Sequence, residues 1–143
     1  MTGEVPEMEV IRHGKSEKRV GAPEYFTGKV VIDMSFGWDE PSRLVGGIAT
    51  FEPGARTVWH MHPIGQTLYI TSGVCWHQCW GGPIVEAYPG DVIWCPPGHK
   101  HWHGASPTSE MVHFTVQEGL NGKYVELMEP VTEEQYNAGP PKA

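Results

Sequence analysis

Glycine or proline interrupts this chain every few residues. There are 18 glycines and 13 prolines among 143 residues. Proline lacks the N–H that a helix or ladder needs, and glycine adopts turn backbone that other residues avoid. Long helices are thereby excluded, and short strands joined by tight turns are what remains. The runs between the breaks fit that reading. "EVIRHG" (9–14) reads as a short edge strand. "GKVVIDMSF" (28–36) and "RLVGGIATFEPG" (43–54) read as strands separated by the loop "GWDEPS". "TVWHMH", "QTLYITSG", "VCWHQCW", "IVEAYPG" and "DVIWCPPG" follow as strands of about five residues. "EMVHFTVQE" (110–118) alternates, with Val112, Phe114 and Val116 on one face and Met111, His113, Thr115 and Gln117 on the other. "KYVELM" (123–128) adds a strand, and "TEEQYNAG" (132–139) is a short helix capped by Thr132 and stopped by Gly139. Roughly eight to ten such strands imply an all-β sandwich or barrel.

Size and charge narrow the options. A chain of 143 residues suits one domain, and no internal repeat or linker divides it. Residues 1–7 read as a loose polar leader. With 39% hydrophobic and 19% charged residues the chain is not disordered. A net charge of −7 argues against nucleic acid and against anionic membrane surfaces as partners. No apolar run approaches the ~20 residues that span a bilayer, and "MTGEVPEMEV" lacks the features of a secretory signal. Cys75, Cys79 and Cys95 are an odd number, which reads as free thiols in a cytoplasmic protein.

The histidines carry the chemistry. In a strand, residues i and i+2 point the same way. His60 and His62 therefore share one side, with Trp59 and Met61 on the other. Pro63-Ile64-Gly65 turns the chain and lets Gln66 return beside them on the next strand. A second group, His99, His101 and His103, repeats at period two behind a Pro-Pro-Gly turn. Imidazole is the commonest side-chain ligand for Zn, Cu, Fe, Ni and Mn-type ions. A lone histidine is usually a surface or satisfied core residue, but five on two turn-anchored strands point to a metal.

The spacing is more specific. Gly54, His60-x-His62, Gln66 and Gly73 follow one motif, and Gly90, Pro96-x-Gly98 and His101 follow a second. Together they resemble the two motifs of the cupin superfamily, at 54–73 and 90–105. The resemblance implies a small jelly-roll β-barrel with one divalent metal held by His60, His62, the acid-position residue and His101. Two positions depart from the usual pattern: Gln66 replaces a glutamate and Ala105 an asparagine. More narrowly, "FEPGARTVWHMHPIGQTL", "PGDVIWCPPGHKHWHGASPT" and "VTEEQY" resemble the small bacterial manganese-dependent cupins with hydroxynitrile lyase activity, over most of residues 24–136. In that group the metal is Mn2+, bound by three histidines and a glutamine; Fe2+, Zn2+, Ni2+ or Co2+ would suit the same donors. Two further histidines act in the chemistry, and they match His103 and His113.

A glutamine in place of a carboxylate leaves the ion's full charge uncompensated. Such a centre favours anionic guests and works as a Lewis acid. The resemblance then implies a small-molecule substrate: a cyanohydrin cleaved to aldehyde and cyanide, with His103 or His113 moving the proton. The competing readings are a non-haem iron dioxygenase of the cupin type, a metal-dependent decarboxylase or aldol-type enzyme, and a non-enzymatic binding module. Phe51, Val58, Ile70 and Trp94 are candidates for an apolar pocket, with ordinary core as the simpler role for each. His99 and Arg56 read as surface residues. Cys75, His77 and Cys79 share a strand face but are too spread along it to make a zinc site. The six tryptophans suit barrel packing or burial between subunits, which suggests a homo-oligomer, dimer or tetramer.

Overall fold

The alternating segment at 110–118 is the centre of the molecule. Its inward residues need a partner strand on each side, and both are present. The computed structural model describes residues 7–142. Among them the elements run β1 (Arg19–Val20), β2 (Phe26–Thr27), β3 (Val30–Gly37), β4 (Leu44–Phe51), β5 (Arg56–Thr57), β6 (His60–Met61) and β7 (Gln66–Gly73). There follow β8 (Cys75–Cys79), β9 (Val85–Ala87), β10 (Val92–Cys95), β11 (His101–Ala105), β12 (Met111–Glu118), β13 (Glu126–Leu127) and α1 (Glu133–Asn137). The leader expected over 1–7 lies, apart from Glu7, outside the described residues.

Two antiparallel sheets result. The first has the order β1-β3-β4-β12-β7-β10. In the second, β11 pairs with β8 on one edge and with β6 and β5 on the other. β9 flanks β8, β13 flanks β6 and β2 flanks β5. This is an all-β architecture of the kind the turn spacing predicts, a barrel as the resemblance implies, with the short C-terminal helix packed against the second sheet.

Register fixes what faces inward. Across β4, β12 and β7 the inward rows are Ala49–His113–Ile70, Gly47–Thr115–Leu68 and Val45–Gln117–Gln66. A slip of β12 by one residue would turn His113 and Gln117 outward. A bulge between Val112 and His113 keeps the rows aligned by passing over Thr71, whose hydroxyl donates to the Val112 carbonyl at 3.1 Å.

Two apolar clusters hold the fold. Between the sheets, Val30, Phe51, Ile70, Cys75, Ala105 and Met111 are fully buried. Outside the second sheet, Trp59, Trp76, Ile84 and Trp102 are covered by Val131 and Tyr136 of the C-terminal segment. Burying each large side chain stabilises by about 1.5–3 kcal/mol. Five residues make too short a helix to stand alone. α1 is kept by a capping box between Thr132 and Gln135 and by the Tyr136 hydroxyl, which donates to the Ala105 carbonyl at 2.7 Å.

Four expectations need correction. Residues 9–14 form no strand; the edge of the first sheet is Arg19–Val20 instead. "TVWHMH" is split, because β5 and β6 meet successive parts of β11. Arg56 is not a surface residue. It is 3% exposed, and its guanidinium donates to Glu133 at 2.8 Å and to the Val131 and Gly54 carbonyls. Trp94 belongs to neither core nor pocket, for its outward position on β10 leaves it 57% exposed.

Candidate metal centre

Glycine at position 65 makes the His62–Gln66 turn feasible. Its φ is +90°, and a Cβ there would sit 2.5 Å from the Trp94 ring and 2.8 Å from the Cys95 carbonyl oxygen. The turn carries the chain from the second sheet to the first. It sets Gln66 on the same side as His60 and His62. β11 brings His101 opposite His60 in register. The ring centre of His60 lies 5.0 Å from that of His62 and 4.3 Å from that of His101, and His62 and His101 are 5.6 Å apart.

Three of these rings have their protons assigned by backbone. The Nδ1–H of His60 donates to the Val58 carbonyl at 2.8 Å, that of His62 to Tyr124 at 2.6 Å, and that of His101 to His99 at 2.9 Å. A carbonyl only accepts, so the proton sits on Nδ1 and the lone pair on Nε2. The Nε2 atoms of His62 and His101 and the Oε1 of Gln66 are buried without a hydrogen-bond partner among the described residues. A buried unpaired acceptor costs about 1–3 kcal/mol. Three of them gathered in one place call for a cation or donor between them. Burial holds the imidazoles in the neutral, ligating form. It lowers the His60 pKa well below the usual value, helped by His101 and His62, and takes His101 down to about 4. His62 is also lowered by burial.

His103 and His113 come from different sheets and meet, His113 Nε2 lying 3.1 Å from His103 Nδ1. Burial lowers both pKa values, His103 further because His113 and the other imidazoles adjoin it, and His113 to about 4. The Phe51 ring lies edge-on to both, 6.1 Å from His103 and 5.0 Å from His113. The Thr57 hydroxyl accepts the His103 backbone N–H at 3.2 Å. Ring nitrogens of His60, His101 and His103 all lie within 4.8 Å of one another. His103 is therefore close enough to share an ion with His60 and His101, as well as to pair with His113.

Most of the site residues line a cavity of about 540 Å³. His60, His62, Gln66, His103 and His113 line it together with Phe51, Phe36, Val45, Val125 and Leu127. Among the described residues that line it, Arg19 carries the one formal charge, histidines aside. Of the pocket candidates, Phe51 lines the cavity, whereas Val58 and Ile70 are buried core. His99 is exposed, as expected. Cys75, His77 and Cys79 are not drawn together: Cys75 is buried and Cys79 exposed.

Three participants escaped the sequence reading. Gln117 stands on the inward face that alternation assigns to it, and its Oε1 accepts from Gln66 Nε2 at 3.0 Å. Thr57 and Tyr124 act through contacts that no local pattern announces.

Residues 47–117 match the cupin domain family. An (R)-mandelonitrile lyase of Granulicella tundricola is 52% identical over 129 residues, covering 90% of this chain and 98% of that protein. A cupin-like protein of Thermotoga maritima has the same fold with a TM-score of 0.79 at 35% identity, covering 93% of this chain and 98% of that one. A polyketide cyclase of Streptomyces resistomycificus shares the fold at a TM-score of 0.72 and 17% identity, over 92% of each chain.

Proposed function

The chain belongs to the cupin family, and we propose that it is a metal-dependent hydroxynitrile lyase, cleaving a cyanohydrin to an aldehyde and cyanide and joining them in reverse. The likeness to a mandelonitrile lyase supports the reaction class. The observation that carries the metal is the set of buried acceptors without partners, His62 Nε2, His101 Nε2 and Gln66 Oε1. His60, His62, His101 and Gln66 would hold the ion. Neutral imidazoles and an amide oxygen suit Mn2+, and Fe2+, Zn2+, Ni2+ and Co2+ accept the same donors. When bound, the ion supplies Lewis acidity, which makes a hydroxyl more acidic and a carbonyl more electrophilic.

His103 is the acid–base residue in this reading. Its Nε2 is buried and unpaired, and its Nδ1 engages His113. As base, His103 Nε2 takes the cyanohydrin hydroxyl proton. The C–C bond to the nitrile carbon then breaks, its electron pair leaves with cyanide, and the oxygen lone pair forms the C=O of the aldehyde. The imidazolium returns its proton to cyanide, giving hydrogen cyanide and restoring neutral His103. His113 orients the ring and shares the transient positive charge. Phe51 and the apolar walls keep water from that charge and leave room for an aryl or alkyl group.

Exposed Tyr69, Val92 and Trp94 on the outer face of the first sheet support association into a homo-oligomer, a dimer or tetramer. Free cysteines support a cytoplasmic setting. Among the described residues no helix is long and apolar enough to cross a membrane. Benzaldehyde release from mandelonitrile by the purified protein tests the function, with oxygen uptake on diketone substrates as the contrary outcome expected of a dioxygenase.

A further inference from the structure

A carboxamide has two faces, and only one suits a cation. Gln66 can present its oxygen to the three imidazoles or, rotated by half a turn, its NH2 group. The two forms have nearly the same shape, so packing alone does not choose between them. The Gln117 side chain does, because its oxygen, not its own NH2, faces Gln66. Gln66 and Gln117 are cross-strand partners on the inward face of β7 and β12. Gln66 Nε2 donates to Gln117 Oε1 at 3.0 Å, and both side chains are buried. With its NH2 engaged, Gln66 directs Oε1 to where no protein donor meets it.

We infer that Gln117 is the positioning residue that aims the Gln66 carbonyl oxygen at the metal centre. The inference rests on the metal reading above. Without the Gln117 acceptor, the Gln66 amide is free to turn its N–H groups toward the ion, and a ligand becomes a repulsive dipole. Gln117 itself never has to touch the ion.

The chemistry makes a sharp distinction between variants. Gln117→Glu offers only acceptors, so it preserves the Gln66 orientation. Gln117→Met offers only a weakly accepting sulfur. In a Gln66→Glu background the side chain at 66 has no NH2 group to misdirect, so the identity of residue 117 should cease to matter.

The test uses the full chain, stripped of metal and titrated with Mn2+, with free ion followed by its electron paramagnetic resonance signal. Thermal unfolding of the metal-free proteins checks folding. Gln117→Met is expected to weaken Mn2+ binding by about 10- to 100-fold, and Gln117→Glu to bind at least as tightly as the parent. In the Gln66→Glu background, Gln117→Met should change affinity by no more than about twofold. If Gln117→Met does not fold, Gln117→Asn, whose shorter arm withdraws the acceptor, replaces it in the same comparison. Equal affinity for the parent and Gln117→Met, an equal loss in both backgrounds, or a loss with Gln117→Glu would overturn the inference while leaving the metal centre intact. A parent chain that binds no Mn2+ would overturn both.

Discussion

His103 and His113 hold each other across the barrel: Nδ1 of the first lies 3.1 Å from Nε2 of the second, although they sit on different sheets. The pairing occupies one nitrogen of each ring and leaves His103 Nε2 and His113 Nδ1 buried without partners. His103 therefore has one nitrogen engaged by His113 and one without a protein partner among the described residues.

Replacing His103 separates its two available roles. If it moves the proton, His103→Ala lowers the rate of cyanohydrin cleavage by about 10²- to 10⁴-fold with metal content unchanged. His113→Ala, which removes the partner that orients the ring and shares its charge but leaves the base in place, should cost less, about 10- to 100-fold. Rate measurements and metal analysis on the same preparations check this. Loss of the metal on His103→Ala would make His103 a ligand, as its closeness to His60 and His101 permits.

Arg56 ties the C-terminal segment to the barrel. Its guanidinium is buried, lies 4.4 Å from the Tyr136 ring centre and bonds Glu133 and two carbonyls. Glu133 is largely exposed, so the carboxylate itself adds little. Arg56→Ala should destabilise by about 2–3 kcal/mol through the lost charge-assisted bonds, and Glu133→Gln by less than about 1 kcal/mol. Denaturant midpoints measure both; equal effects would show that the ion pair, not the buried arginine, anchors the segment.

The three thiols should differ sharply in reactivity. Burial pushes Cys75 and Cys95 up to about 12, while Cys79 is exposed. At pH 8 the folded protein should release colour from a disulfide reagent for one thiol per chain, and after unfolding for all three. Rapid reaction of more than one thiol in the folded protein would contradict the packing of β8 and β10.

Much of the fold was legible because alternation is local. Residues 111–117 could be divided into faces from the sequence, and His113 and Gln117 stand where that division puts them. His60, His62, His101 and His103 were legible for the same reason, since period two on a strand needs no tertiary knowledge. What escaped depends on distant chain. Arg56 looked exposed beside its turn, but residues 131–136 return to cover it. Trp94 looked like core by composition, yet its parity on β10 turns it outward. Gln117 was on the correct face, but its bond to Gln66 requires the register of β7 on β12, which no single strand encodes.

If the buried acceptors without partners hold a divalent ion, cyanohydrin cleavage depends on it. The most direct measurement is benzaldehyde release from mandelonitrile before chelation, after chelation and after adding Mn2+ back, with folding monitored throughout. Activity is expected in the untreated protein, with loss on chelation without unfolding and recovery with Mn2+. Turnover that persists undiminished after complete metal removal would contradict that dependence.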